Sequence, residues 1–208
     1  MRLATEKKHK KYWEDRKIDW NQAYMSTWDH PHRQMLVDIL KKLKWGSLFE
    51  VGCACGPNLV KIVKEIPNVQ VGGTDVSSDA IDLAKKTFQS AYLTVGSADD
   101  ILMSDDSTDI VLTDMTLIYV SQIDKAIKEI KRVARNYVLL CELHSPSWFD
   151  RMKLRFSSGY FAHDYKKLLE KHGFNDITLI KIPKEVWDGK PQVPYGYVIL
   201  ARVPKDYD

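Results

Sequence analysis

One short run of the sequence combines small residues with an acidic one. It reads EVGCACGPNL at residues 50–59, and its Gly52, Ala54 and Gly56 let the backbone turn sharply and approach a ligand closely. Asp75 follows 25 residues after the glutamate of this run, where a carboxylate can accept hydrogen bonds from both hydroxyls of a ribose. Together these features are typical of a site for a nucleoside-containing cofactor.

Details of the run indicate which nucleoside cofactors fit. A dinucleotide fingerprint, G-x-G-x-x-G, needs its third glycine at position 57, where this chain has Pro57. Glu50 stands two residues before the first glycine, and a carboxylate there suits a cationic group such as an ammonium better than a pyrophosphate. No G-x-x-x-x-G-K-[ST] run occurs, which excludes a P-loop.

Each of these residues also has a purely structural explanation. The glycines suit any tight turn between a strand and a helix, and Asp75 suits the cap of a helix that begins near Ser77. We favour cofactor binding because the glycines occur together with Glu50 and Asp75. Cys53 and Cys55 lack the second cysteine pair or nearby histidines that a zinc site needs, so we expect no metal.

These residues need a scaffold that brings them to one edge. From residue 31 onward, short apolar runs alternate with segments of helical periodicity, which predicts a mainly parallel sheet with helices on both faces. The predicted strands are residues 47–52, 69–74, 92–95, 109–113, 136–143, 177–182 and 197–201. No helix separates the last two, so we expect the final strand to be antiparallel. Ligands of such sheets bind at the carboxyl ends of the strands.

Length and composition limit the class of protein. The chain has 208 residues, 44% of them hydrophobic, and a formal net charge of +3, which fits one folded domain. No apolar run is long enough to span a membrane and the start has no signal-peptide core, so we expect a cytoplasmic protein. Residues 1–17 carry seven basic and three acidic side chains. We favour a solvated helix over a nucleic-acid contact for this arm, because the remaining sequence shows no basic face with stacking aromatics.

The run at residues 50–59 resembles the first motif of the class I S-adenosylmethionine-dependent methyltransferases. The similarity extends over residues 48–202, with strands and helices in the same order. Asp75 matches the family's ribose-binding acidic residue, residues 96–99 (GSAD) match the loop that contacts the adenine, and Asp114 ends the strand that borders the methionine part. The resemblance implies a three-layer α/β, Rossmann-like methyltransferase fold with a seven-stranded, mostly parallel sheet, an antiparallel last strand and an N-terminal helical cap.

The resemblance also implies which residues bind S-adenosylmethionine. Glu50 and the glycine-rich turn are expected at its amino-acid end, Asp75 at the ribose and residues 97–99 at the adenine. The full predicted set is Glu50, Gly52, Cys53, Ala54, Gly56, Asn58, Leu59, Asp75, Val76, Ser97, Ala98, Asp99, Asp114 and Met115. Two positions depart from the family pattern, because Ala54 replaces the middle glycine and Ser97 stands where an aspartate is usual.

The start of the chain is expected to form a helical cap within the same domain. We place this cap at residues 1–44 and the cofactor-binding part at residues 45–208. Trp13, Trp20 and Trp28 precede the first predicted strand. They suit either a helix that covers the core or a lid that closes over the cofactor and excludes water.

Residues beyond the fourth and fifth predicted strands are candidates for the acceptor site. His144 is placed best for a general base, because imidazole titrates near neutral pH, although a histidine at a strand end is often only structural. Asp114 and Tyr119 are further candidates. Arg33 suits either a pair with the cofactor's carboxylate or a surface position. We interpret the basic residues of segment 148–156 as part of an amphipathic helix rather than as a site for an acidic acceptor.

The predicted function is methyl transfer from S-adenosylmethionine to an oxygen or nitrogen nucleophile of a small molecule. Residues 114–117 read DMTL, whereas amino-methylating nucleic-acid enzymes of the family carry an N/D-P-P-[YFW]-like tetrapeptide there, so we do not expect a nucleic-acid partner. Two alternatives stay open: a methyltransferase that acts on RNA or protein, and a non-catalytic module that only binds the cofactor.

Overall fold

A seven-stranded sheet lies at the centre of the computed structural model, which describes residues 6–120, 122–187 and 193–204. The strand order is β3-β2-β1-β4-β5-β7-β6. The strands are β1 (Ser47–Val51), β2 (Gln70–Asp75), β3 (Tyr92–Val95), β4 (Thr108–Asp114), β5 (Ala134–Leu143), β6 (Asn175–Lys181) and β7 (Gly196–Arg202). The first five pair in parallel, and β7 pairs antiparallel with both β5 and β6. The predicted fold class, including the antiparallel last strand, is confirmed.

Helices precede the sheet and cover it. They are α1 (Glu6–Glu14), α2 (Trp20–Ala23), α3 (Pro31–Leu40), α4 (Pro57–Glu65), α5 (Ser78–Thr87), α6 (Ile123–Val133), α7 (Trp148–Ser158) and α8 (Tyr165–Lys171). Prolines open α3 and α4, where the missing N–H would have no partner inside the helix in any case. Short 3-10 turns lie at Met25–Thr27, Leu117–Tyr119, Lys184–Trp187 and Val193–Tyr195.

Alternate residues of the central strands point to opposite faces of the sheet. Ile110 and Leu112 of β4 belong to an apolar cluster that includes residues of α3, α4 and α5. Val111, between them, belongs to a second cluster that includes residues of α6 and α8. Such burial on both faces is the pattern of a parallel sheet covered by helices. It fixes the ends of β1, β2 and β4 side by side, with Val51 paired to Thr74 and to Thr113.

The segment before β1 lies against the carboxyl ends of these strands. Trp20 of α2 is buried and packs with Cys55 and Ala80. The division into residues 1–44 and 45–208 stays a prediction. Parts of both segments lie outside the described residues, namely residues 1–5, 121, 188–192 and 205–208.

Two further properties concern the described part of the chain only. None of its helices is both long enough and apolar enough to cross a membrane. No group of three or more His, Cys, Asp or Glu side chains within it is arranged to hold a metal ion.

Candidate functional site

A cavity of about 730 Å³ opens at the carboxyl ends of β1, β2 and β4. This is the edge at which the sequence predicts the ligand, and the volume lies in the range of sites for small molecules. Its walls come from the turn after β1, from the ends of β2, β3 and β4, and from aromatic residues near the start of the chain. The lining residues are Lys10, Trp13, Trp20, Tyr24, Val51, Gly52, Ala54, Asp75, Val76, Gly96, Ser97, Ala98, Asp99, Asp114, Met115, Thr116, Tyr119, Val120 and Gln122.

The turn after β1 is held by the neighbouring strand. The backbone N–H groups of Gly52 and Cys53 donate to the carbonyl oxygen of Thr74, at 2.7 and 3.0 Å. Gly52 has φ +77°, and a Cβ atom there would lie 2.0 Å from Thr116 Oγ1, so only glycine fits without displacing the loop after β4. Gly56, at φ +89°, leads into α4. The small residues therefore bring the backbone to the cavity, as predicted from the sequence.

Asp75, the last residue of β2, ties this turn to the following helix. Its Oδ2 accepts from the backbone N–H of Ala54 and its Oδ1 from that of Ser77, both at 2.9 Å. Ser77 itself is the N-cap of α5. Burial raises the pKa of Asp75, and the backbone hydrogen bonds oppose this shift. Asp75 lines the cavity, so its carboxylate supports the local structure and also faces the ligand space.

A second carboxylate, Asp114, ends β4 and is part of a buried polar network. Its Oδ2 accepts from Asn58 Nδ2 at 3.0 Å and is hydrogen-bonded to His32 Nε2 at 2.9 Å. Asn58 Nδ2 also donates to Glu50 Oε1 at 2.6 Å. Asp114 Oδ1 is buried and has no hydrogen-bond partner in the described part of the chain. Asp114 lines the cavity, whereas Glu50 lies beneath it.

The two acidic residues of this network have opposite pKa shifts. Burial raises the pKa of Glu50 to about 8, although the hydrogen bond from Asn58 opposes the shift. Burial would raise the pKa of Asp114 as well, but the charges and hydrogen bonds of His32, Arg33 and Asn58 hold it well below its usual range. The network therefore carries its negative charge on Asp114, the residue that faces the cavity.

The loop after β3 contributes a polar wall. Ser97 Oγ donates to Asp99 Oδ1 at 2.6 Å, and Lys125 Nζ donates to Asp99 Oδ2 at 3.4 Å. The hydrogen bond from Ser97 is the main cause of the lowered pKa of Asp99. Ser97, Ala98 and Asp99 all line the cavity. The departure from the family pattern at Ser97 thus places a hydroxyl and a carboxylate together at this wall.

Four aromatic side chains, which we call the aromatic roof, close the other side of the cavity. They are Trp13, Trp20, Tyr24 and Tyr119. The ring of Trp13 lies 5.4 Å from that of Tyr119 and 6.3 Å from that of Trp20, and Trp20 lies 5.3 Å from Tyr24. These residues pack against each other and face the cavity, and their action as a lid stays a prediction. Trp28 instead lies against the ammonium group of Lys64.

Glu142, which the sequence analysis did not select, positions the loop that follows β4. Its Oε1 accepts from Thr113 Oγ1 at 2.8 Å and from the backbone N–H groups of Thr116 and Leu117, each at 3.0 Å. Burial raises the pKa of Glu142 to about 8. The signal that could have identified it is an acidic residue inside the apolar run VLLCEL at residues 138–143.

The structure brings most of the predicted cofactor-binding set to the cavity. Nine of these residues line it, namely Gly52, Ala54, Asp75, Val76, Ser97, Ala98, Asp99, Asp114 and Met115. The others lie beneath the lining, namely Glu50, Cys53, Gly56, Asn58 and Leu59. Among these five, Asn58 donates to both Glu50 and the cavity-lining Asp114, and Cys53 and Leu59 belong to the apolar core.

His144, the predicted general base, does not line the cavity. Its Nδ1 accepts from the backbone N–H of Tyr165 at 3.1 Å, and its ring packs edge-on against Tyr197. Burial lowers its pKa. The geometry therefore does not favour a role in proton transfer, which stays a prediction.

Two arginines that were candidates for ligand contacts are engaged within the protein. Arg33 is buried, its Nη1 donates to the carbonyl oxygen of Thr27 at 2.9 Å, and it does not line the cavity. Arg151 Nη1 donates to the carbonyl oxygens of Ser145 and Pro146. The expected surface position of Arg33 is therefore wrong, because the side chain is buried, and its pairing with the cofactor's carboxylate stays a prediction. The contacts of Arg151 favour the interpretation of its segment as an amphipathic helix.

Comparison with known proteins agrees with this geometry. Residues 48–136 match the family described as Methyltransferase domain, which spans β1 to the start of β5. No curated protein sequence matches the chain.

Solved structures with the same fold include enzymes of different activities. A phosphoethanolamine N-methyltransferase of Haemonchus contortus, solved with S-adenosylhomocysteine, is 14% identical, with 95% of this chain and 60% of that one covered and a TM-score of 0.69. An S-adenosylmethionine-dependent methyltransferase of Thermotoga maritima is 18% identical, with 89% and 93% covered and a TM-score of 0.62. The [4+2]-cyclase SpnF is 20% identical, with 92% and 86% covered and a TM-score of 0.63. At these identities the likeness shows the fold alone.

Proposed function

We propose that this chain, whose residues 48–136 match the family described as Methyltransferase domain, transfers the methyl group of S-adenosylmethionine to an oxygen or nitrogen atom of a small molecule. One observation carries the proposal. Two strand-end carboxylates, Asp75 and Asp114, face a single cavity on either side of the turn at Gly52.

The residues of the cavity fit this cofactor. Asp75 would accept hydrogen bonds from the ribose hydroxyls, because each of its oxygens makes one backbone hydrogen bond and retains a further lone pair. Ser97 and Asp99 would contact the adenine. Asp114 offers a buried oxygen with no partner among the described side chains and backbone groups, which suits the ammonium of the methionine part. We assign this contact to Asp114 instead of Glu50, because Asn58 holds Glu50 beneath the cavity.

The bound cofactor supplies an electrophilic methyl group on a sulfonium, and the chain aligns and encloses the reactants. The absence of a side chain at Gly52 lets the backbone approach the ligand closely. The aromatic roof excludes water from the cavity, and alignment of an already nucleophilic atom accelerates such a displacement without a base. We assign no general base, because His144 does not line the cavity.

The aromatic roof also supports a small acceptor. Trp13 contacts Tyr119 edge-on, which joins α1 to the loop after β4 across the cavity. Beside a nucleoside cofactor, a space of about 730 Å³ leaves room for a molecule of metabolite size.

The test uses the full chain and S-adenosylmethionine with a tritiated methyl group. Cell extract is separated into small molecules, RNA and protein, and each fraction is incubated with the chain. We expect label in the small-molecule fraction. Asp75→Ala should abolish this label, and Asp79→Ala, which removes an aspartate paired with Lys17 outside the cavity, should retain it.

The other outcomes favour the alternatives. Label in RNA or protein would contradict the small acceptor and favour a macromolecular methyltransferase. Cofactor binding without label in any fraction would favour the non-catalytic module.

A further inference from the structure

A histidine from the N-terminal segment lies next to the ligand-facing carboxylate. His32, on the first turn of α3, is buried, and its Nε2 lies 2.9 Å from Asp114 Oδ2. Its other ring nitrogen, Nδ1, lies 2.7 Å from Nδ1 of His30. Both nitrogens of the His32 ring are therefore within hydrogen-bond distance of a partner.

The hydrogen bonds around His30 indicate which atoms carry protons. His30 is the N-cap of α3, and its Nδ1 accepts from the backbone N–H of His32. An acceptor nitrogen carries no proton, so the short contact between the two rings needs the proton on His32 Nδ1. The ionised carboxylate of Asp114 likewise needs the proton on His32 Nε2. A ring with protons on both nitrogens is an imidazolium, which carries a positive charge.

The surroundings of Asp114 show why a buried cation is needed there. Glu50 is nearby and is linked to Asp114 through Asn58. Two further titratable groups, Glu142 and Cys141 of β5, also interact with Asp114. The positive charges that face it belong to His32 and to Arg33 of α3. Without the His32 charge, burial would favour the protonated form of the Asp114 carboxyl group.

We infer that His32 is a positioning residue whose imidazolium keeps Asp114 ionised and leaves Asp114 Oδ1 directed at the ammonium of the cofactor. This inference rests on the proposed function, because it assumes that the cavity binds S-adenosylmethionine. It adds a residue of the N-terminal segment to the site. It also specifies the ligand class that depends on this residue, namely nucleosides that carry an α-amino acid.

The inference predicts a selective loss of affinity. S-adenosylhomocysteine carries the ammonium, whereas 5′-methylthioadenosine has the same nucleoside without the amino-acid part. His32→Ala should weaken the binding of S-adenosylhomocysteine about 10- to 100-fold at pH 7. A neutral Asp114 no longer forms a charge-assisted hydrogen bond with the ammonium, and the loss of such a bond has an effect of this size. The affinity of the variant for 5′-methylthioadenosine should stay within about twofold. Between pH 6 and 8 the affinity of the variant for S-adenosylhomocysteine should rise with pH as Asp114 ionises, and that of the wild type should stay flat.

The experiment is calorimetric titration of both ligands into three proteins: the wild type, His32→Ala and His172→Ala. His172 is a matched control, because it forms a His–Asp pair with Asp124 at 2.7 Å and does not line the cavity. A nitrogen-15 NMR spectrum of the ligand-free wild type at pH 7 gives a second readout. It should show protons on both ring nitrogens of His32.

The outcomes separate the inference from the proposed function. If the wild type binds both ligands and His32→Ala weakens both equally, His32 has only a structural role, and the inference is overturned while the proposed function stands. A neutral His32 ring in the NMR spectrum also overturns it. If the wild type binds neither ligand, the proposed function and the inference both fail.

Discussion

The two sides of the cavity are built by different means. The side that we call the floor comprises the turn Gly52–Gly56 and the carboxylates Asp75 and Asp114. Directional hydrogen bonds to backbone N–H groups and buried side chains hold it. In the aromatic roof, ring contacts dominate, and the indole N–H groups of Trp13 and Trp20 are buried without a hydrogen-bond partner among the residues that the structure describes.

This difference indicates which side tolerates change. Hydrogen bonds fix distances and angles, so a substitution in the floor displaces the atoms that meet the cofactor. Aromatic packing adapts to a change of shape more easily and is spread over several rings. We therefore expect the floor to determine cofactor binding and the roof to enclose the acceptor, with smaller effects on affinity for the cofactor.

The largest effect should follow a substitution at the tightest point of the floor. Gly52→Ala introduces a Cβ at a positive φ and 2.0 Å from Thr116 Oγ1. We expect a loss of about 3 kcal/mol in the free energy of unfolding, because strain and overpacking add, and a loss of S-adenosylhomocysteine binding. Chemical denaturation and calorimetry measure the two effects.

Gly159→Ala is the matched control for this variant. Gly159 has a similar φ, +82°, but its added Cβ would meet nothing within 4 Å, so only the backbone strain of about 1 kcal/mol remains. Equal effects of the two substitutions would contradict the close packing of the floor against the loop after β4.

The next effect concerns the buried carboxyl that supports the floor from below. Burial raises the pKa of Glu142 to about 8, so this carboxyl stays protonated in the folded protein at pH values where it ionises in the unfolded chain. Its contribution to the free energy of unfolding is therefore complete below about pH 4.5 and is lost as the pH rises towards 8. Glu142→Gln retains the acceptor oxygen and cannot ionise. We expect the free energy of unfolding of the variant to equal that of the wild type at pH 5 and to be about 2 kcal/mol higher at pH 8.

Denaturant unfolding at several pH values measures this effect. Glu170→Gln, at an exposed position of α8, serves as the control and should leave the pH dependence unchanged. A Glu142→Gln variant with the same pH dependence as the wild type would show that Glu142 does not titrate in this range.

The smallest effect should come from the roof. Trp13→Ala removes the ring that joins Trp20 to Tyr119. We expect about tenfold weaker binding of S-adenosylhomocysteine, through faster dissociation, and a larger loss in methyl transfer because water enters the cavity. Trp148→Ala, which removes an exposed ring on α7, should change neither. A roof variant that loses binding as completely as Gly52→Ala would contradict the distinction between the two sides.

Sequence patterns predicted the floor because its chemistry depends on local residue types. Gly52, Ala54 and Asp75 stand next to strands whose apolar pattern identifies them, and parallel strands place their ends together. The seven strands were predicted for the same reason, with boundaries that differ by a few residues, as in β5, which begins at Ala134 rather than at residue 136.

Features that depend on contacts between distant segments were not predicted. Pairing of His32 with Asp114 joins residues 82 positions apart, and no local pattern indicates it. Glu50 was expected to face the ligand, but the orientation of its side chain depends on Asn58, the second residue of α4. Likewise, His144 follows a strand that ends at the correct edge, yet its ring packs against Tyr197 of the antiparallel strand.

The central claim, that this cavity binds S-adenosylmethionine through Asp75, is tested most directly by calorimetric titration of the cofactor into the wild type, Asp75→Ala and Asp79→Ala. We predict micromolar binding to the wild type and to Asp79→Ala. Asp75→Ala should bind about 100-fold more weakly, because two charge-assisted hydrogen bonds to the ribose are lost. Equal affinity of all three proteins, or no binding to the wild type, would contradict the claim.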